Sequence, residues 1–156
     1  MTDSLHSARL KSERVLIGFD PGRDKCGIAV VQVQALAPME LRVLHREVIP
    51  SSAALSRLQT LRQQFQAEQV ILGNQTTAQA WKSQLESILP PQQIVLVDER
   101  HSSQEARQRY WDFYPPQGWQ RLLPKGMRVP AKAYDDLVAL ILVERYCCGR
   151  DTAKPA

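Results

Sequence analysis

Three cysteines in 156 residues are too few, and odd in number, for a disulfide-stapled fold. Cys26, Cys147 and Cys148 do not stand at metal-ligand spacing from the histidines, so they read as reduced core or surface thiols. Long apolar runs are missing as well. The longest, Leu137 to Val143, falls far short of the roughly 20 residues that a membrane-spanning helix needs. The first fourteen residues, MTDSLHSARLKSER, hold no apolar stretch of the secretory kind, which predicts a cytoplasmic protein without a membrane partner. No internal repeat, low-complexity block or convincing linker interrupts the chain.

What is present is ordinary for a folded protein: 44% hydrophobic and 23% charged residues, in a length that suits one domain. Such a domain buries roughly two thirds of its unfolded surface in a single core. The formal net charge is +4, and its distribution says more than its size. Residues 100–132 hold seven of the 20 Lys and Arg against two acids, a local balance of +5 that leaves −1 for the rest. A concentrated basic stretch suits a polyanion, because each neutralised phosphate releases counterions, although a solvated face has the same composition.

The apolar pattern predicts five strands. Residues 14–19 end at an Asp-Pro-Gly turn, and 25–34, rich in valine and isoleucine, should return antiparallel to them. Residues 41–49, 70–73 and 94–97 are the other three. Between them, Ser51 and Ser52 begin a helix reaching about Ala67, and Thr76 or Thr77 caps one running to Leu89. Strand, helix, strand implies a right-handed parallel crossover. Ser102 or Ser103 is expected to cap a helix to Tyr114, and a last helix should run from about Ala133 to Cys147. Its apolar centre requires burial against the sheet. Residues 115–130, with four prolines and two glycines, predict a long irregular loop. The expected organisation is an N-terminal extension over 1–13, a folded α/β domain over 14–148 with a mixed five-stranded sheet flanked by helices, and a flexible tail over 149–156.

Three acids occupy informative places: Asp20 ends the first strand, Glu99 follows the last, and Asp135 begins the final helix. Strand ends in open α/β sheets are where ligands usually bind. Carboxylates gathered there raise one another's pKa unless cations neutralise them, and oxygen donors suit Mg²⁺ or Mn²⁺. Each acid also has a local alternative: Asp20 an Asx-turn, Asp98 or Glu99 a polar strand end, Asp135 or Asp136 a favourable charge at a helix start.

Taken in order, the motifs resemble the YqgF/RuvX family of RNase H-fold nucleases. Asp20-Pro-Gly-Arg-Asp-Lys-Cys-Gly-Ile-Ala is similar to that family's first motif. Asp98-Glu-Arg-His-Ser-Ser-Gln-Glu-Ala-Arg resembles its Asp-Glu-Arg motif, and Asp135-Asp-Leu-Val-Ala-Leu-Ile-Leu-Val-Glu-Arg-Tyr its C-terminal helix. The resemblance implies an RNase H-like fold and a nuclease, either trimming precursor 16S rRNA, with ribosomal particles as partners, or cutting branched DNA as Holliday-junction resolvases do. It also implies that Asp20, Glu99 and Asp135 are catalytic acids holding Mg²⁺ or Mn²⁺. Asp135 is favoured over Asp136 by its spacing to Glu144.

The sequence departs from the family pattern at Pro21, at Gly73-Asn-Gln-Thr-Thr after the fourth strand, and in a longer stretch from Trp111 to Ala133. Val138 and Ala139 stand where related resolvases place a further acid. Arg23, Lys25, Arg100, Arg107 and Arg109 are candidate phosphate ligands, with Lys125, Arg128 and Lys132 as clamps from the loop. Trp111, Tyr114 and Trp119 suit core or loop anchoring better than base stacking, and His101 suits the surface. Two other readings remain. A phosphotransferase of the actin and sugar-kinase type also opens on Asp-x-Gly but needs a second lobe. A non-catalytic RNA-binding protein would keep the acids as structure.

Overall fold

The computed structural model describes residues 13–35, 38–75 and 77–149. The expected N-terminal extension and C-terminal tail lie outside these, apart from Glu13 and Gly149. Five strands, β1 (Glu13–Asp20), β2 (Lys25–Gln34), β3 (Glu40–Pro50), β4 (Gln69–Gly73) and β5 (Ile94–Val97), form one sheet in the order β3-β2-β1-β4-β5. β1 runs antiparallel to β2, as does β2 to β3, while β4 lies parallel to both β1 and β5. The helices are α1 (Ala54–Phe65), α2 (Ala78–Leu85), α3 (Ser102–Phe113) and α4 (Asp135–Cys147). The mixed sheet and its crossovers are those that the apolar pattern predicts.

Because side chains alternate across a strand, each central strand feeds two cores. Ile17 and Phe19 of β1 join Ile28 and Val30 of β2 beneath Leu58 and Leu61 of α1 and Leu85 of α2. Leu16 of β1 and Ala29, Val31 and Val33 of β2 face the other way, against Ala139, Leu140, Leu142 and Val143 of α4. The outer side of α4 is covered in turn by Ala106, Tyr110 and Trp111 of α3, which pack on Leu137, Val138 and Ile141. All seven residues from Leu137 to Val143 are therefore buried, which explains a helix without a polar face. Burying each such side chain stabilises by about 1.5–3 kcal/mol. At Gly18 a side chain would overlap the Ala139 carbonyl, so α4 can lie directly on β1 only where that strand lacks a Cβ.

Four local expectations are corrected. α2 ends at Leu85, and residues 86–89 close as turns, with the Leu89 amide donating to the Leu85 carbonyl, because Pro90 and Pro91 follow. α1 likewise stops at Phe65, where Gln66 turns left-handed. Neither Ser102 nor Ser103 caps α3: His101 stands before the helix with φ 62°, and Ser102 is buried in its first turn. α4 begins at Asp135 rather than Ala133. Thr77 precedes α2 without capping it through its side chain, and Thr76 lies outside the described residues. The loop over 115–130 contains two short 3-10 segments, Gly118–Leu122 and Lys125–Met127. All three cysteines are free. No helix among the described residues is long and apolar enough to cross a membrane.

Candidate active site

Strand parity selects the face of the site. Asp20 shares the side of β1 that carries Leu16 and Gly18, the side covered by α4. Its antiparallel neighbour is Gly27 of β2. A Cβ on Gly27 would overlap the Asp135 carbonyl, so the first residue of α4 rests on the cross-strand partner of Asp20. Beyond β5, Glu99 continues the parity of Val95 and Val97, which face the same core. Its carboxylate lies where a side chain on Gly73 would be, at the end of β4.

Glu99 is only 4% exposed, and its Oε1 accepts a hydrogen bond of 2.9 Å from the Gln75 amide. Burial pushes its pKa up, an effect that this bond partly offsets. Arg145 of α4 holds the turn around it: Nη1 donates to the carbonyls of Asp98 (2.9 Å) and Arg100 (2.8 Å), and Nη2 reaches Glu105 at 3.3 Å. The Asp98 carboxylate turns away to accept from the Arg100 amide and guanidinium at 2.9 and 2.8 Å, which lowers its pKa.

Asp20 is the most perturbed carboxyl at this end of the sheet. Burial first, then the charges of Glu99 and Asp135, raise its pKa to about 8. The three acids thus belong to one electrostatic unit. Asp136 belongs elsewhere: its Oδ1 accepts from the Leu137 amide (3.0 Å) and its Oδ2 pairs with Arg46 of β3 (3.4 Å). Adjacent residues on a helix point about 100° apart, which separates these two environments.

Among the described residues, Asp20, Glu99 and Asp135 have no ion-pair partner. Nor do any three His, Cys, Asp or Glu among the described residues stand together as a group that could hold a metal ion. What the acids offer is a half-buried, negatively charged set of hard oxygen donors without an internal cation. Carboxylate oxygens are the donor type that hard divalent cations take.

The basic candidates divide by what they touch. Arg23, in the β1–β2 turn that follows Asp20, and Lys25, the first residue of β2, are exposed and have no ion-pair partner among the described residues. Arg100 is exposed but joined to Asp98. Arg109 makes a two-pronged pair with Glu144, fastening α3 to α4. Arg128 is spent on the loop, donating to the carbonyls of Gln120 and Leu123 and covering the Trp111 ring, while Arg107 donates to the Arg128 carbonyl. Lys125 pairs with Asp112, and the Lys132 ammonium lies 5.0 Å from the Tyr114 ring centre. Trp111 is buried, Tyr114 half-buried, and Trp119 is 70% exposed. His101 is exposed.

Residues 14–146 match a family model described as "RuvX: Holliday junction resolvase". The chain belongs to the RuvX family. Proteins named "Putative pre-16S rRNA nuclease" from Xanthomonas axonopodis pv. citri and Xanthomonas euvesicatoria pv. vesicatoria are each 27% identical to it, over 92% of this chain and 94% of theirs. The Thermus thermophilus RuvC structure superimposes with a TM-score of 0.54 at 16% identity, covering 88% of this chain and 98% of RuvC. A second structure, T. thermophilus RuvC in complex with Holliday junction substrate, gives 0.51 at 15% identity. The RNase H-like fold that the motifs imply is therefore the fold of this RuvX chain.

Four residues of the site lie inside the quoted segments but receive no role from the sequence. Gly27 and Gly73 clear room for Asp135 and Glu99, Gln75 binds Glu99, and Arg145 holds its turn. Gly27 was findable: it interrupts an apolar strand at the parity facing α4, and glycine inside a strand marks a close approach, whereas Gly73 ends β4 and reads as an ordinary strand terminus. Gln75 and Arg145 carry no such signal, because their partners are non-local.

Proposed function

We propose that this RuvX-family chain is a nuclease that hydrolyses phosphodiester bonds with Mg²⁺ or Mn²⁺ held by Asp20, Glu99 and Asp135. Its favoured substrate is precursor 16S rRNA, met in the cytoplasm on ribosomal particles. What supports this reading is the electrostatic coupling of residues 20, 99 and 135: burial, then the charges of Glu99 and Asp135, raise the Asp20 pKa to about 8. A structural ion pair would supply its own cation, and these acids have none among the described residues.

When bound, the divalent ion activates water and stabilises the leaving oxygen. The chain's own groups do the rest. Asp20 would hold the ion in its deprotonated form, which a neighbouring positive charge would favour. Glu99, fixed by the Gln75 amide and the Arg145-braced turn, presents one carboxylate in a set orientation. Asp135 completes the donor set from the start of α4. Arg23 and Lys25, beside Asp20, are placed to hold the phosphate backbone.

Branched DNA is a second reading, favoured by the family's description as a Holliday junction resolvase. Cleavage of precursor rRNA ends and of four-way DNA junctions, assayed side by side with Mg²⁺ or Mn²⁺, separates the two. Loss of all cleavage in Asp20→Asn is expected. Retention of cleavage by that variant overturns the reading.

A further inference from the structure

The last cross-strand pair of the first hairpin is Asp20 with Gly27, which leaves residues 21–26 outside the β1–β2 ladder. A hairpin connection needs only about two residues, so this one is longer than linking two strands requires. Its backbone is held from outside the hairpin. β3 ends beside the start of β2, with Ile49 opposite Cys26 and Pro50 opposite Lys25, and the chain leaving β3 meets the turn at Ser51. The Ser51 amide donates to the Asp24 carbonyl at 2.9 Å, and its hydroxyl donates to the Gly22 carbonyl, also at 2.9 Å. The fully buried Cys26 thiol lies 3.5 Å from the Ser51 hydroxyl and 3.8 Å from the Gly22 carbonyl, and it donates toward both.

The order in this turn stops at the backbone. Arg23, Asp24 and Lys25 are exposed, and neither cation has an ion-pair partner among the described residues. A backbone fixed by a half-buried hydroxyl, carrying cationic side chains that no acid engages, suits the capture of an anion, because a preorganised loop has less order to lose on binding. We propose that Ser51 is a positioning residue: through the Gly22 and Asp24 carbonyls it holds the turn so that Arg23 and Lys25 meet phosphates of the strand that reaches Asp20. This rests on the nuclease reading for the identity of that strand. Ser51 touches no phosphate itself, since its hydroxyl proton is committed to the Gly22 carbonyl.

The test reads binding without cleavage. A fluorescent single-stranded RNA oligonucleotide is titrated in EDTA with the full chain and its variants across a salt series, and anisotropy gives the affinity. Ser51→Ala is expected to bind about five-fold more weakly, the scale of one lost hydrogen bond. The slope of log affinity against log salt should fall by about 0.7, one phosphate contact on a single strand. Ser51→Thr, which keeps the hydroxyl, should restore both. In a chain that already carries Arg23→Ala and Lys25→Ala, Ser51→Ala should change the affinity no further, because the groups through which it acts are gone. Should Ser51→Ala not fold, Ser51→Cys, which fills the same space with a weaker donor, serves in the same comparison. A clasp that is only structural lowers the melting temperature and leaves the salt slope of the folded protein as it was. An unchanged slope therefore overturns the role, and so does an equal loss of affinity with and without the two cations. A failed nuclease reading shows separately, as cleavage that Asp20→Asn does not abolish.

Discussion

The Glu99 carboxylate fills the space that a side chain on Gly73 would need. One residue at the end of β4 therefore sets where a carboxylate beyond β5 can lie. Gly73→Ala is expected to push Glu99 off its Gln75 bond and to lower cleavage by about a hundred-fold, the scale of an ångström-sized misplacement. A kcat comparison across a Mg²⁺ titration checks this. Unchanged turnover would show that Glu99 has no positional role.

Asp20 gives the metal-free protein a specific pH dependence. Its pKa in the fold, about 8, lies above the ordinary value of 3.8, so between these values the folded state keeps a proton that the unfolded chain has lost. Stability from this group is thus fully present below pH 4 and is lost as pH rises toward 8. In EDTA, the melting temperature of the parent should fall over that window relative to Asp20→Asn, whose amide does not titrate. Parallel melting curves for the two proteins would remove the basis for an uncompensated Asp20.

The two acids that open α4 should fail in different ways. Asp135→Asn removes a charge that repels Asp20, so cleavage should vanish while stability holds or rises. Asp136→Asn breaks the pair with Arg46 inside a nearly closed environment, and should cost about 1–3 kcal/mol of stability. Thermal melts beside a cleavage assay read both effects, and the reverse pattern would exchange their roles.

Arg145→Ala frees the carbonyls on either side of Glu99. Turnover is expected to drop while substrate affinity changes little, because Arg145 braces the turn and does not face the strand. Arg145→Lys, with a single ammonium, should recover part of the loss. An effect confined to KM would instead make Arg145 a substrate contact.

Salt dependence locates the phosphate track. Arg23→Ala with Lys25→Ala should reduce the slope of log affinity against log salt by about 1.4–1.8, at roughly 0.7 to 0.9 per lost contact. Arg109→Ala should leave the slope unchanged and lower the melting temperature, since its guanidinium is committed to Glu144. A slope that falls only in the Arg109 variant would move the track to the α3–α4 seam.

Strand positions, the crossovers and the buried last helix were legible because period-2 and apolar patterns survive in sequence. The three acids each stand at or beside an element end inside a motif, which is the signal that singles them out. The caps were less legible: Ser102 has the chemistry of a cap but is buried in the first turn of α3, and tertiary packing overrode its local preference. The basic stretch divides in the fold in a way that composition does not show. Arg109 and Arg128 count as charges in a sequence, yet in the fold their donors are consumed by Glu144 and by loop carbonyls. A one-dimensional count cannot tell a solvated cation from a structural rivet.

The strand order also dictates a timetable. β1, β2 and β3 are close in sequence and pair as a meander, whereas β4, β5 and α4 join only through crossovers that must first close long loops. Asp20 is then in place early, on a hairpin, while Glu99 and Asp135 arrive with the slow half of the fold. Pulse-labelled hydrogen exchange during refolding should protect amides of 15–33 before those of 137–146. A refolding chain would therefore pass through a state that has half a sheet and no means of gathering the three acids, so an immature copy would be harmless to any strand it touched.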